Sequence, residues 1–263
     1  MGAPSHRLKL DRAAQQFETL KALSKKWAKR KPIVIVREFN AETGEYVQRV
    51  RLRKPLDPTA PLLVGECVHG LRQALDYLAY QLAIVVSGKD PPPNAETTQF
   101  PITTSRERFD SGITQKIGKP KEMPTGLYDA LEQMQPYHGG HRVLLGYLRE
   151  LDDIDKHRFL PVVAGSLQTA GLKAPRRWYG RRAKVLRLGD VVIHGGGGED
   201  GAPVLSYTLD PEAQHHPDIK VTPSIAFGAA SPVLPNALTV ELLDKIGIHV
   251  VNNVVAPLER FLP

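Results

Sequence analysis

Four polar side chains fall on one face of the most apolar stretch of the chain. Between Leu62 and Val86, the residues His69, Arg72, Asp76 and Tyr80 stand at i, i+3, i+7 and i+11, which is a single face of an α-helix. A second stretch, His141–Phe159, carries Glu150, Asp153 and His157 at i, i+3 and i+7. Asp153 and His157 are then one turn apart, close enough for the carboxylate to orient the imidazole. If the two polar stripes face each other, they supply a base (His157 or His69), an orienting acid (Asp153 or Asp76) and phosphate-binding cations (Arg72, Lys156 and Arg158). Such groups suffice for phosphodiester cleavage without a metal, by acid–base and electrostatic catalysis. The candidate catalytic set is Arg72, Asp76, Asp153 and His157. The same residues also fit a structural role. Basic side chains in the last turn of a helix, as in LDDIDKHRFLP, favour its negative dipole end, and an Arg–Asp pair between core helices is a buried salt bridge.

Charge placement gives the second signal. The 263 residues carry 35 Lys/Arg and 28 Asp/Glu, a net charge of +7. Residues 1–60 hold 14 Lys/Arg against 6 Asp/Glu, residues 173–187 hold 7 with no acid, and the remainder holds 14 against 22. The protein is thus mildly acidic with two basic blocks, and such blocks attract polyanions by releasing counterions. In the first block Lys25, Lys26, Lys29, Arg30 and Lys31 surround Trp27, and Arg49, Arg51 and Arg53 follow at a spacing of two. On a strand these three project as one row, with Val50 and Leu52 on the other face. In the second block Arg176, Arg177, Arg181 and Arg182 bracket Trp178 and Tyr179. Cations interleaved with aromatics suit a nucleic-acid backbone with stacked bases. RNA or another polyanion is the expected partner, held by Arg49, Arg51, Arg53, Arg176, Arg177, Trp178, Arg181 and Arg182. Solvated basic surfaces with no partner have the same composition.

Other strings resemble catalytic motifs without their context. His194-Gly195-Gly196-Gly197 matches the oxyanion-hole string of some esterases, but the chain has no G-x-S-x-G nucleophile elbow. Gly196, Gly198 and Gly201 fit G-x-G-x-x-G, yet Ala202-Pro203 leads into strand-like VLSYTL, where a dinucleotide site needs a helix. Gly112 to Lys119 is one residue too long for a phosphate-binding loop, and Pro120 stands where a Ser or Thr must hold magnesium. His215, His216 and Asp218 read as a loop, because adjacent side chains on an extended chain point opposite ways. No cofactor site is recognisable and no metal site is expected.

The elements that must position these residues follow from periodicity. Residues 6–29 read as an amphipathic helix ended by Pro32. IVIVREF and YVQRVRL flank AETGE, a hairpin signal. Leu62–Val86 is the central helix, its apolar set (Val64, Cys67, Val68, Leu71, Leu75, Leu78, Leu82) covering most of its circumference. Shorter helices are expected over Ser105–Ile117 and Pro124–Met134, then the core helix His141–Phe159 with Leu144, Leu148, Leu151 and Ile154 as its buried line. From there the period changes to two: VLRLG, DVVIH, PVLSYTL and IKVTPSIAFG read as strands, and Leu238–Phe261 returns to helix. Segregated helices and strands imply an α+β fold. The expectation is a single α+β domain over 1–263, with a helical core at about 62–168, an antiparallel β-rich region at about 172–236, and a closing helix at about 238–261. Whether the early hairpin joins the later strands stays open.

Composition bounds the class. Hydrophobic residues are 41% and charged residues 24%, which excludes a wholly disordered chain. Cys67 is the sole cysteine, so an intramolecular disulfide is excluded, and its place on the apolar side of the central helix marks it as packing. The N-terminal residues lack the apolar core of a signal peptide. Glu66, His69, Arg72, Asp76 and Gln81 make a membrane span of Leu62–Val86 costly. A cytoplasmic location with no membrane partner is expected.

HGLRQALDYLAYQLA, TQFPI, LEQMQPY and LRELDDIDKHRFLPVV resemble a family of uncharacterised bacterial and phage-borne proteins with L-R-x-A-L-D-H and D-K-H-R motifs. The resemblance covers about residues 60–165. The first motif is also similar to the Arg-x4-6-His signature of the HEPN superfamily, helical bundles that include dimeric ribonucleases of defence and toxin systems. That resemblance implies ribonuclease chemistry with Arg72 as the motif arginine, and a homodimer. Tyr77 stands where the histidine of the signature would be.

Overall fold

The computed structural model describes residues 4–158, 160–169, 188–193, 200–209, 220–228, 231, 233–235 and 237–263. Their elements run α1 (Ser5–Lys29), β1 (Ile33–Asn40), β2 (Glu45–Leu52), α2 (Ala60–Ser87), α3 (Arg106–Lys116), α4 (Leu127–Gln133), α5 (Val143–Asp155), β3 (Val162–Thr169), β4 (Leu188–Ile193), β5 (Pro203–Leu209), β6 (Lys220–Phe227), α6 (Thr239–His249) and α7 (Ala256–Glu259). The architecture is α+β, with the hairpin near the N-terminus and helix at the C-terminus. Two compact units result. One gathers Met1–Leu20, Pro61–Leu160 and Val240–Pro263, the other Lys21–Ala60 and Pro161–Thr239.

The first unit is helical and built around α2. Val64, Cys67, Val68, Leu71, Leu75, Leu78 and Leu82 are all buried, as their spacing on α2 requires. A helix apolar around most of its circumference can satisfy itself only in the middle of a bundle. Leu145, Leu148 and Leu151 of α5 and Phe109 and Ile113 of α3 are likewise closed off from solvent. Each such Leu, Ile or Phe stabilises the folded state by about 1.5–3 kcal/mol through removal from water. Burial also pushes the Cys67 thiol up to about 12, so it packs as an apolar side chain and is no nucleophile. A β-carbon on Gly65 of α2 would land on the Asp155 carboxylate at the end of α5, so the bare glycine permits that approach.

Polar ties complete the unit. The buried His6 ring of α1 joins Gln81 Oε1 of α2 at 2.9 Å to Glu259 Oε1 of α7 at 2.8 Å. Arg7 also donates to Glu259. The C-terminal helix is interrupted by a π-helical turn over Val250–Val255, directly before Pro257 in the first turn of α7. A proline offers no backbone N–H, and the preceding turn loosens where that donor is missing.

The second unit holds the strands. β1 and β2 form the expected hairpin, with Ile35 opposite Val50. The side chain of Asn40 accepts the N–H groups of Glu42 and Thr43 in the turn. The hairpin does join the later strands: β2 also pairs with β5, giving a sheet in the order β1-β2-β5-β4. Tyr46 lies opposite Tyr207 there, their rings stacked 5.5 Å apart. A second sheet pairs β3 with β6, Val162 opposite Phe227. Strand β3 is an addition to the expected elements, since Ala164 and Gly165 within VVAGSLQT obscure the alternation that marks a strand.

Two expectations change in detail. Helix α5 stops at Asp155, so Lys156, His157 and Arg158 lie in the turn beyond it rather than in a last helical turn. Trp27, central to the first basic block, is buried and donates its indole N–H to Pro55 O at 3.0 Å. It fills a core and offers no face for stacking. Among the described residues no helix is long and apolar enough to cross a membrane.

Gly118, just beyond α3, adopts φ +143°, and a β-carbon there would stand 2.6 Å from Val86 Cγ1 of α2. Replacing Gly118 by Ala is expected to lower stability by about 1–3 kcal/mol, the usual penalty of a residue forced into a disfavoured backbone region, read as a shift in the chemical denaturation midpoint.

Candidate functional site

The site begins with an extended segment that has no strand to pair with. Residues 99–103 (QFPIT) lie in no regular element, yet Phe100, Pro101, Ile102 and Thr103 are buried, so their backbone groups need partners. Side chains provide them. The Phe100 N–H donates to Asp76 Oδ1 at 2.8 Å and the Phe100 carbonyl accepts from Arg72 Nη2 at 3.0 Å. Gln135, itself buried, donates to Pro101 O at 3.0 Å and accepts from the Thr103 N–H at 2.9 Å. Arg149 of α5 donates to Ile102 O at 3.2 Å. Arg72 and Asp76, one turn apart on α2, also pair with each other at 2.9 Å. The i, i+4 spacing read from the sequence thus matches one peptide group, with a donor for its carbonyl and an acceptor for its N–H.

That segment forms one wall of a cleft of about 380 Å³ whose lining includes Arg72, Arg108, Lys116, Arg149 and Lys156. Arg108 and Lys116 stand about two turns apart on α3; Arg108 is exposed, and Lys116 is half-buried, one and two turns beyond the buried Ile113 and Phe109. The acids on the lining are Asp152 and Asp153. Asp152 is almost wholly buried and accepts from Lys156 Nζ at 2.6 Å and from His69 Nδ1 at 3.0 Å. His69 Nε2 faces the Gln73 amide nitrogen at 2.6 Å, and Gln73 Oε1 accepts from Lys9 at 2.7 Å. This network places the His69 proton on Nδ1, with Nε2 as acceptor. Both ring nitrogens are therefore engaged within the protein.

Pairing accounts for some of the cations and not others. Arg72 has Asp76, Lys156 has Asp152, and Arg149 lies 3.5 Å from Asp153. Among the described residues Arg108 contacts only the Thr104 hydroxyl through its side chain, at 3.3 Å, and Lys116 has neither a hydrogen bond nor an ion pair. Burial, with the nearby Arg72 and Arg149 charges, holds the Lys116 amine below its ordinary value. Burial likewise raises the Asp76 carboxyl, against the pull of Arg72.

Of the expected catalytic residues, the structure brings Arg72 and Asp76 together and sets Asp153 on the rim of the same cleft. His157 lies exposed in the turn after α5, outside that lining. The imidazole–carboxylate contact of the site is His69 with Asp152, one residue before the acid read from the sequence. Tyr77 is exposed, with the Lys9 ammonium 5.2 Å from its ring centroid. In the basic row, Arg49 and Arg51 both bind Glu38 of β1, at 2.8 and 3.3 Å, and Arg49 also donates to Gly201 O at 3.1 Å. Arg53 is exposed beyond the end of β2. Arg176, Arg177, Trp178, Arg181 and Arg182 lie outside the described residues, as do the glycine-rich string from His194 and the HHPD run.

Sequence reasoning did not single out Arg108, Lys116, Arg149 or Asp152. The signals were present. Arg108 and Lys116 are eight apart, hence on one helical face. Asp152 follows Leu145 and Leu148 at i+7, an acid on an apolar line. The chain matches no protein-family model, no curated protein and no solved structure.

Two outcomes follow. Because the folded-state value of Lys116 lies below 10.5, charging it opposes folding; the penalty is full at neutral pH and vanishes above the unfolded value. Lys116→Met should therefore raise the melting temperature at pH 7, with the gain shrinking as the pH approaches 10.5. Asp76→Ala should lower stability by about 1–3 kcal/mol, because it leaves the buried Phe100 N–H without its acceptor, measured by denaturant titration.

Proposed function

We propose that the cleft of the helical unit binds phosphate groups of RNA. One observation carries this reading: five cations converge on a single cleft, and two of them, Arg108 and Lys116, have no carboxylate partner among the described residues. Guanidinium and ammonium groups bind phosphate oxygens through charge-assisted hydrogen bonds; Arg108 is exposed and Lys116 half-buried. Arg72 and Asp76 act by building the wall that carries Phe100 and by lending the Arg72 charge to the floor of the cleft. On this reading the protein binds RNA, and His157 has no part in it.

A second reading, metal-independent RNA cleavage, is favoured by Lys116. An amine held below its ordinary value by burial and neighbouring cations is a fit proton acceptor for a ribose 2′-hydroxyl. The 2′-oxygen would attack phosphorus and break its bond to the 5′-oxygen, which leaves as the hydroxyl with a proton taken from water, giving a 2′,3′-cyclic phosphate, with Arg72 and Arg149 stabilising the added charge.

Fluorescence anisotropy with a labelled single-stranded RNA tests the first reading. The logarithm of affinity should fall linearly with log salt, and Arg108→Met and Lys116→Met should each flatten the slope by about 0.7, the value of one phosphate contact on a single strand. Unchanged affinity and slope in both variants would exclude the cleft as the RNA site. Incubation of RNA with excess EDTA tests the second: cleavage lost in Lys116→Met supports it, and intact RNA leaves binding alone.

A further inference from the structure

We infer that the cleft is matched to a terminal phosphate, a phosphomonoester dianion, rather than to an internal phosphodiester. This inference rests on the phosphate-binding reading above and specifies its ligand. The argument is one of charge. Within the cleft Asp76 answers Arg72, Asp152 answers Lys156, and Asp153 answers Arg149. Arg108 and Lys116 remain, two positive charges that form no ion pair with any described residue; Asp76, the acid that acts on Lys116, is already paired with Arg72. An internal phosphodiester carries one negative charge and would leave one cation uncompensated. A monoester, with its second ionisation near pH 6, carries close to two at neutral pH and offers three terminal oxygens as acceptors.

Size and shape agree. A cleft of about 380 Å³ is at the small end of ligand sites, suited to one phosphate with its attached sugar. Its wall at Phe100–Thr103 is fixed by Arg72, Asp76, Gln135 and Arg149, so two of its cations, Arg72 and Arg149, are placed before the ligand arrives. The unpaired Lys116 fits as well. Burial and neighbouring cations work against its charge in the empty cleft, and a bound dianion would reverse that balance. Two sources can present this group, the end of an RNA strand and a free nucleoside monophosphate.

The test compares one RNA sequence bearing a 5′-phosphate, a 3′-phosphate or hydroxyls at both ends, alongside a nucleoside 5′-monophosphate, each titrated into the full-length protein at pH 7.5 and pH 5. At pH 7.5 at least one phosphorylated end should bind about tenfold more tightly than the hydroxyl strand, the least expected from an added charge-assisted contact. At pH 5, where the monoester has lost one charge, the preference should shrink. Lys116→Met and Arg108→Met should each reduce the preference, and Lys116→Arg should retain it. Equal affinity of all three strands, with both variants weakening them alike, overturns the terminal-phosphate inference and leaves RNA binding standing. Binding of the monophosphate alone upholds the dianion and overturns the RNA reading. Absence of binding by every ligand overturns both.

Discussion

A buried peptide group far from any strand must find its hydrogen bonds somewhere, and in the helical unit the answer at Phe100 is a pair of side chains one turn apart on α2. Arg72 takes the carbonyl, Asp76 takes the N–H, and each neutralises the other. Leaving either group unmet would cost about 1–3 kcal/mol. Much else depends on this clamp. It holds the aromatic ring of Phe100 in the core, and it starts the extended segment that Gln135 and Arg149 continue to hold. It also draws Arg72 into a partly desolvated position at the cleft. Arg72 and Asp76 thus hold the wall of the cleft in place.

The cleft itself is electrostatically unrelaxed. Asp152, enclosed by the protein, is answered by His69 and Lys156, whereas Lys116 sits half-buried near Arg72 and Arg149, whose charges with burial outweigh the pull of Asp76. Groups that oppose folding in this way are common at functional sites, where stability and binding draw on the same side chains in opposite directions. This contrast separates the cleft from the Glu132 cluster of the same unit. There Tyr137, His138 and Arg106 all converge on one buried carboxylate, a network complete without a ligand.

The sequence was informative wherever a single helix or hairpin decided the outcome. The α2 stripe and the hairpin of IVIVREF with YVQRVRL are local properties, set by side-chain period and turn chemistry. What was illegible depended on two segments meeting. Asp152 and Asp153 are adjacent in the chain, and only the packing of α5 against α2 decides which carboxylate faces His69. Arg49 and Arg51 read as a free basic row because Glu38 lies on a different strand. Strand β3 was hidden by Ala164 and Gly165 in its sequence, and its pairing partner is the distant β6.

The central claim is that the Arg108–Lys116 side of the cleft is a phosphate site with a reactive, uncompensated amine. Pyridoxal 5′-phosphate carries both a phosphate and an aldehyde; a neutral lysine condenses with the aldehyde to an imine with loss of water, and borohydride fixes the product as a secondary amine. Peptide mapping by mass spectrometry after limited labelling measures where it binds. The account predicts that Lys116 is labelled ahead of the exposed lysines of α1, and that inorganic phosphate protects it. Labelling spread over Lys25, Lys26 and Lys29 with Lys116 untouched, or labelling of Lys116 that phosphate does not suppress, would contradict it.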